Sequence, residues 1–221
     1  MNNQLVNFKS VIFGLLAIFS ILPVVNSSFA EEIEEVYLLG VDYDIVDKPD
    51  IDQIVQFSEL ESINNIEIFY WYGCEACFQV EAAIESYLVN NSHLRLRRTP
   101  LIVRSSWREQ AYLQAMMEQL SQTENLPSVM DIYRQCLADC NVFSKFESSQ
   151  KWLLSQLEEP SEVEIDPAFV WQAEKNYRKR ADLFSIRQVP TIIINETYKV
   201  DANQAGTSER LVKIIDFLLS K

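Results

Sequence analysis

Histidine is almost missing from this chain: His93 is the only one in 221 residues. No Ser–His–acid centre can be read around a single histidine, and His93 reads as a surface residue at the start of a strand. Glycine is scarce as well, at four residues, and no internal repeat or low-complexity stretch occurs, which excludes fibrous and disordered classes. Basic residues are outnumbered, with 19 Lys and Arg against 32 Asp and Glu and a formal charge of −13. A surface of that sign repels phosphate backbones, so nucleic acid is not an expected partner. Only one long apolar run exists, and it lies at the N-terminus.

That run is Val11–Val25, preceded by a polar segment with one positive charge, Lys9, and followed by Ser28-Phe29-Ala30. It falls short of the ~20 apolar residues that span a bilayer, and the small residues Ser28 and Ala30 stand three and one before a cut after Ala30. Residues 1–30 are therefore expected to be a signal peptide cleaved after Ala30. An uncleaved anchor is the alternative. No cysteine follows the run, which argues against a lipoprotein. From Glu31 onward the chain holds 18 basic and 32 acidic residues, or −14.

The remainder is long enough for one domain with an insertion around a real core. Val36–Val46 has room for one edge strand or two short ones. Ile66–Tyr72 is dense in β-branched and aromatic residues and reads as a central strand. After Gly73 the period becomes helical over Glu75–Asn90, and Leu94–Val103 alternates as a further strand. Strand, helix, strand at this spacing is a βαβ unit with parallel pairing. Helices are expected over Trp107–Leu120, Ser128–Leu137, Phe146–Leu157 and Ala168–Phe184. A hairpin of Thr191–Ile194 and Tyr198–Val200 follows, then a helix over Ser208–Leu219. Neither flank of the helical block completes a sheet alone, so the block reads as an insertion into an α/β domain.

All four cysteines lie beyond the apolar run, as two close pairs. An even count behind a signal peptide fits an oxidising compartment. Cys74 stands where a strand ends and a helix begins. Unpaired N–H groups and the helix dipole favour its thiolate there, the form that attacks disulfides. Cys77 is about one turn on and in reach of the Cys74 sulfur. A zinc site is the competing reading of C-x-x-C, but no second C-x-x-C exists, and no metal or other cofactor is expected. Cys136 and Cys140, four apart near a helix end, are expected to form a structural disulfide if the helix stops near Ala138; a second redox centre is the alternative. Val189-Pro190-Thr191 precedes an apolar strand. If the bond before Pro190 is cis it marks a tight turn, and the residues before it offer backbone groups to an extended substrate.

The run FYWYGCEACFQVE (69–81) resembles the active-site strand and helix of the DsbA family of periplasmic disulfide oxidoreductases. RQVPTIIIN (187–195) is similar to that family's cis-proline loop, and Arg98-Thr99-Pro100 with Trp107 resembles the entry to its helical domain. The element order matches over nearly all of the chain after Ala30. The resemblance implies an α/β, thioredoxin-like fold, 31–104 and 185–221, with an inserted all-helical domain, 105–184. It implies Cys74 as the attacking cysteine, Cys77 as the resolving one, Pro190 as a cis-proline and Val189 as the residue that tunes substrate contact. It implies a periplasmic monomer that acts on reduced or unfolded exported proteins and is reoxidised by a DsbB-type, quinone-linked membrane partner. A reductase or isomerase kept reduced is the alternative, and a metal-binding or chaperone-like module is a further one.

Departures from the family bear on strength. Pro-His is usual between the two cysteines, whereas this chain has Glu75-Ala76. A carboxylate beside Cys74 is expected to disfavour the thiolate and so weaken the oxidant. The buried acid that thioredoxin-like proteins carry six residues before the first cysteine is replaced by Ile68, and Glu67 points to the opposite strand face. Glu81, on the active-site helix, is the candidate proton acceptor for Cys77. Arg95, Arg97, Arg98, Arg104 and Arg108 read as a solvated basic stretch. Trp107 reads as core, while Tyr70 and Tyr72 could line an apolar groove at the dithiol.

Overall fold

A computed structural model describes residues 35–46, 65–121, 125–160 and 163–221. The expected signal peptide and its cleavage point lie outside the described residues. Among the described residues the first strand is β1 (Asp44–Ile45), with a single bridge between Leu39 and Tyr43 before it, the shorter form of the expected edge. Then come β2 (Asn65–Tyr70), α1 (Glu75–Val89), β3 (Arg95–Pro100) and α2 (Ser105–Gln119). Helices α3 (Val129–Asp139), α4 (Phe146–Leu154) and α5 (Pro167–Leu183) follow, with a 3₁₀ turn at Cys140–Phe143. The chain closes with β4 (Thr191–Ile194), β5 (Tyr198–Asp201), the short α6 (Ala202–Ala205) and α7 (Ser208–Leu219). Val36–Lys221 is one compact unit.

The five strands run in the order β1-β5-β4-β2-β3. β2 and β3 are parallel, as a βαβ crossover requires, and every other pairing is antiparallel. Pairing of β2 with both β3 and β4 makes it the central strand, joining the part before the helical block to the part after it. From β2 onward the observed ends of the expected elements lie within three residues of the sequence expectation, and those of β4 and α7 coincide with it. The strand expected to run to Tyr72 ends at Tyr70, because Trp71 already turns toward the helix and its carbonyl accepts the Cys74 N–H at 3.0 Å. The short α6 was not anticipated. Asp201 and Gln204 make a capping box there, which a four-residue helix reveals only through its side-chain bonds.

Alternation along β2 sorts the core. Ile66, Ile68 and Tyr70 join one apolar cluster with Ile84 of α1 and Leu211, Ile214 and Leu218 of α7. Phe69 faces the other way, into a smaller cluster with Ala181, Phe184 and Ile193. Glu67 shares that second face. It is buried, accepts the Thr99 hydroxyl at 2.6 Å and is ion-paired with the equally buried Arg180 of α5. Arg180 also reaches Glu196 in the β4–β5 turn at 3.1 Å. An ionic cluster thus ties the last helix of the block to the central strand.

Candidate active site

β2 points into the loop Trp71-Tyr72-Gly73, and α1 starts immediately after. Trp71 stacks on Trp107 at the start of α2, with ring centroids 4.7 Å apart and planes within 7°. The indole lies so close over Gly73 that a Cβ there would collide with it. Trp107, read as core, is partly buried, packs against the smaller apolar cluster and forms the other half of this stack. Tyr70 and Tyr72 are fully buried, and both hydroxyls donate to Gln114 Oε1 at 2.7 Å. They are core residues and do not line a groove, because α2 covers them.

Cys74 is the N-cap of α1, and its Sγ accepts the Cys77 N–H at 3.1 Å. It is half-buried, whereas Cys77 is fully buried, and both are free thiols. The Cys74 thiol is lowered to about 7. A hydrogen bond from the Cys77 thiol is the main cause; burial opposes it, and the Cys77 and Ala76 backbone N–H groups assist. Burial pushes the Cys77 thiol far above the ordinary thiol range, reinforced by its bond to Cys74 and the neighbouring Cys74 charge. The two sulfurs are therefore split into an attacking thiolate at the surface and a protonated partner beneath it. Glu75, expected to oppose the thiolate, is exposed, and water and salt screen its charge. It is not among the groups that set the Cys74 thiol. Ala76 acts through its backbone N–H rather than through its side chain.

Glu81 is one turn below Cys77 on the same helix face and has no exposed surface. Burial raises its carboxyl, and Arg98 of β3 works against that rise, bonding Oε1 with its Nε at 2.8 Å. Arg98 is thus an anchored partner of Glu81 and Glu85, not one of a solvated stretch. The sequence carried no signal for this pair, whose members are 17 residues apart on different elements. Glu67, by contrast, faces away and is occupied by Arg180.

The bond between Val189 and Pro190 is cis. Pro190 immediately precedes Thr191, the first β4 residue, which pairs with Phe69 near the end of β2 from which the chain leads to Cys74. Cys136 and Cys140 are joined by a disulfide where α3 gives way to the 3₁₀ turn. The helix ends at Asp139, close to the stop near Ala138 that the bridge needs. Among the described residues no cluster of three or more His, Cys, Asp or Glu side chains is arranged to hold a metal.

A lowered thiol at a strand-to-helix junction, a buried thiol one turn on, and a sheet of this topology with helices inserted between β3 and β4 define the class. The protein is a thiol:disulfide oxidoreductase of thioredoxin-like fold. No protein-family model matches the chain. The thiol:disulfide interchange protein DsbA of Azotobacter vinelandii is 22% identical over 162 residues, covering 72% of this chain and 74% of that protein. The crystal structure of Pseudomonas aeruginosa DsbA superposes with a TM-score of 0.68 at 19% identity, covering 83% of this chain and 93% of the other. A Proteus mirabilis DsbA, solved with a non-covalently bound peptide, gives 0.62 at 14% identity over 85% and 100%. Within its class the chain is DsbA-like.

Proposed function

We propose that this protein is a periplasmic oxidase that introduces disulfides into exported proteins through Cys74 and Cys77. The observation that carries the reading is the lowered Cys74 thiol above a buried, protonated Cys77. Stabilising the Cys74 thiolate stabilises the dithiol form, which makes the disulfide form the better oxidant.

In the forward step a substrate thiolate attacks Cys74 Sγ of the 74–77 disulfide. The sulfur–sulfur bond breaks, its electron pair leaves on Cys77, and Cys77 takes up a proton. A second substrate thiolate then attacks the substrate sulfur of the mixed disulfide and releases Cys74 as thiolate. The substrate has lost two electrons and the enzyme is a dithiol. Glu81, held by Arg98, exchanges the proton with Cys77. Val189 and Pro190 position the substrate backbone, and Cys136–Cys140 is a structural bridge. The peptide bound by the Proteus mirabilis relative supports a peptide substrate. Residues 1–30 direct export, 31–104 with 185–221 form the thioredoxin-like domain, and 105–184 form the helical domain. The enzyme works as a monomer and is reoxidised by a DsbB-type, quinone-linked membrane partner.

Acid quenching of growing cells followed by alkylation of free thiols tests the direction. Oxidised Cys74 and Cys77 in most molecules is the expected result. Both thiols alkylated would replace this reading with a reductase or isomerase.

A further inference from the structure

Tyr133 of α3 packs from the helical block onto residues that flank the dithiol and has no role in the exchange as described so far. Its ring packs edge-on to Tyr72 and Phe78, at 5.1 and 6.0 Å, the residues that bracket the two cysteines in sequence. The side chain is fully buried, and its hydroxyl has no hydrogen-bond partner among the described residues. Oε2 of Glu81 is likewise buried and unpartnered. The charges that act on the hydroxyl come from Cys77 first, then Glu81, Tyr72 and Cys74; α1 and the loop before it supply them all.

The placement of Tyr133 is stiff. A capping box of Ser128 and Asp131 sets where α3 begins, and the Cys136–Cys140 bridge closes its last turn. Leaving a buried hydroxyl unmatched destabilises a fold, and phenylalanine would fill the same space without that cost. Burial also raises the hydroxyl well above its ordinary titration range, so it keeps its proton at every working pH. It is a permanent donor in the layer packed on the residues that flank the dithiol, where charge appears only during the reaction.

We propose that the Tyr133 hydroxyl donates a hydrogen bond to Cys77 Sγ as that sulfur leaves the 74–77 disulfide. The inference rests on thiol exchange at Cys74–Cys77, proposed above. The substrate thiolate forms its bond to Cys74, the Cys77 sulfur receives the electron pair, and Tyr133 shares its proton without giving it up. Glu81 then supplies the proton that makes the neutral thiol. When Cys77 is disulfide-bonded or protonated, the hydroxyl has no anion to serve.

The test compares wild type with Tyr133→Phe in stopped-flow reduction of the oxidised protein by glutathione from pH 5 to 9. The expected result is a rate about tenfold lower, the scale of one hydrogen bond to a charged group. Thermal stability should be equal or higher, and the alkylation profile of Cys74 in the reduced protein unchanged. A rate within twofold of wild type overturns the proposal. So does a slower rate that comes with a lower melting temperature or a displaced Cys74 profile, because both mark a general disturbance. Fluorotyrosine placed at position 133 keeps the donor and should keep the wild-type rate; loss of rate there also overturns it. Wild-type protein that exchanges nothing with glutathione would defeat the exchange chemistry itself, a failure separate from that of Tyr133.

Discussion

At the scale of single residues, the site depends on two identical side chains made unlike by position. Cys74 lies at the mouth of α1 and collects N–H donors, whereas Cys77 is sealed one turn deeper. In reduced protein, alkylation of Cys74 should rise with pH and reach half its limit near pH 7, with Cys77 inert across the same range. Peptide mapping after brief iodoacetamide treatment checks this, and label on Cys77 ahead of Cys74 would contradict the assignment. Ala76 is the natural place to adjust the thiol, since its backbone already touches the sulfur. Ala76→His should lower the Cys74 thiol further and move the glutathione equilibrium toward the dithiol, about tenfold for each unit of lowering. An unchanged equilibrium constant would sink the electrostatic argument.

At the scale of elements, the question is what fixes the helical block on the sheet. Part of the answer is ionic: Arg180 of α5 meets Glu67 of β2 almost without solvent, and it also reaches the partly exposed Glu196 of the β4–β5 turn. Removing Arg180 leaves Glu67 buried without its cation, which costs more than the pair itself contributes. Arg180→Met should therefore destabilise the protein by about 3 kcal/mol in urea unfolding, and Glu67→Leu in the same chain should restore part of the loss. Equal stability of Arg180→Met and wild type would show that the cluster is hydrated in solution. The βαβ unit, the hairpin and α7 were legible because each has a hydrophobic period of its own. Contacts between elements were not. Arg98 looked like one of five solvated arginines, yet it holds Glu81, and Tyr70 and Tyr72 looked like groove residues until α2 was laid over them.

At the scale of the whole molecule, the redox state of one pair is linked to stability and pH. The folded Cys74 thiol is depressed from an ordinary value near 9 to about 7. Its contribution to the reduced form is therefore complete above pH 9 and is lost as pH falls through 7. Cys77 is shifted upward, so its contribution is present below pH 9 and fades above it. The reduced form should gain on the oxidised form between pH 6 and 8.5, measured as the difference between their urea midpoints. A flat difference would mean that Cys74 is not depressed in solution.

The sequence by itself determined the class of chemistry, because it is written in local patterns. A strand rich in β-branched residues, a glycine, C-x-x-C and a helical period place a thiol at a helix N-terminus whatever surrounds it. The spacing of four between Cys136 and Cys140 likewise reached the bridge through the position of a helix end. Only the tertiary structure decided which groups stand around those sulfurs. Glu81 meets Arg98 across 17 residues, Glu67 meets Arg180 across 113, and Tyr133 arrives from another helix altogether. Burial and the pairing of side chains distant in sequence set proton affinities, and neither quantity has a period that a sequence can display.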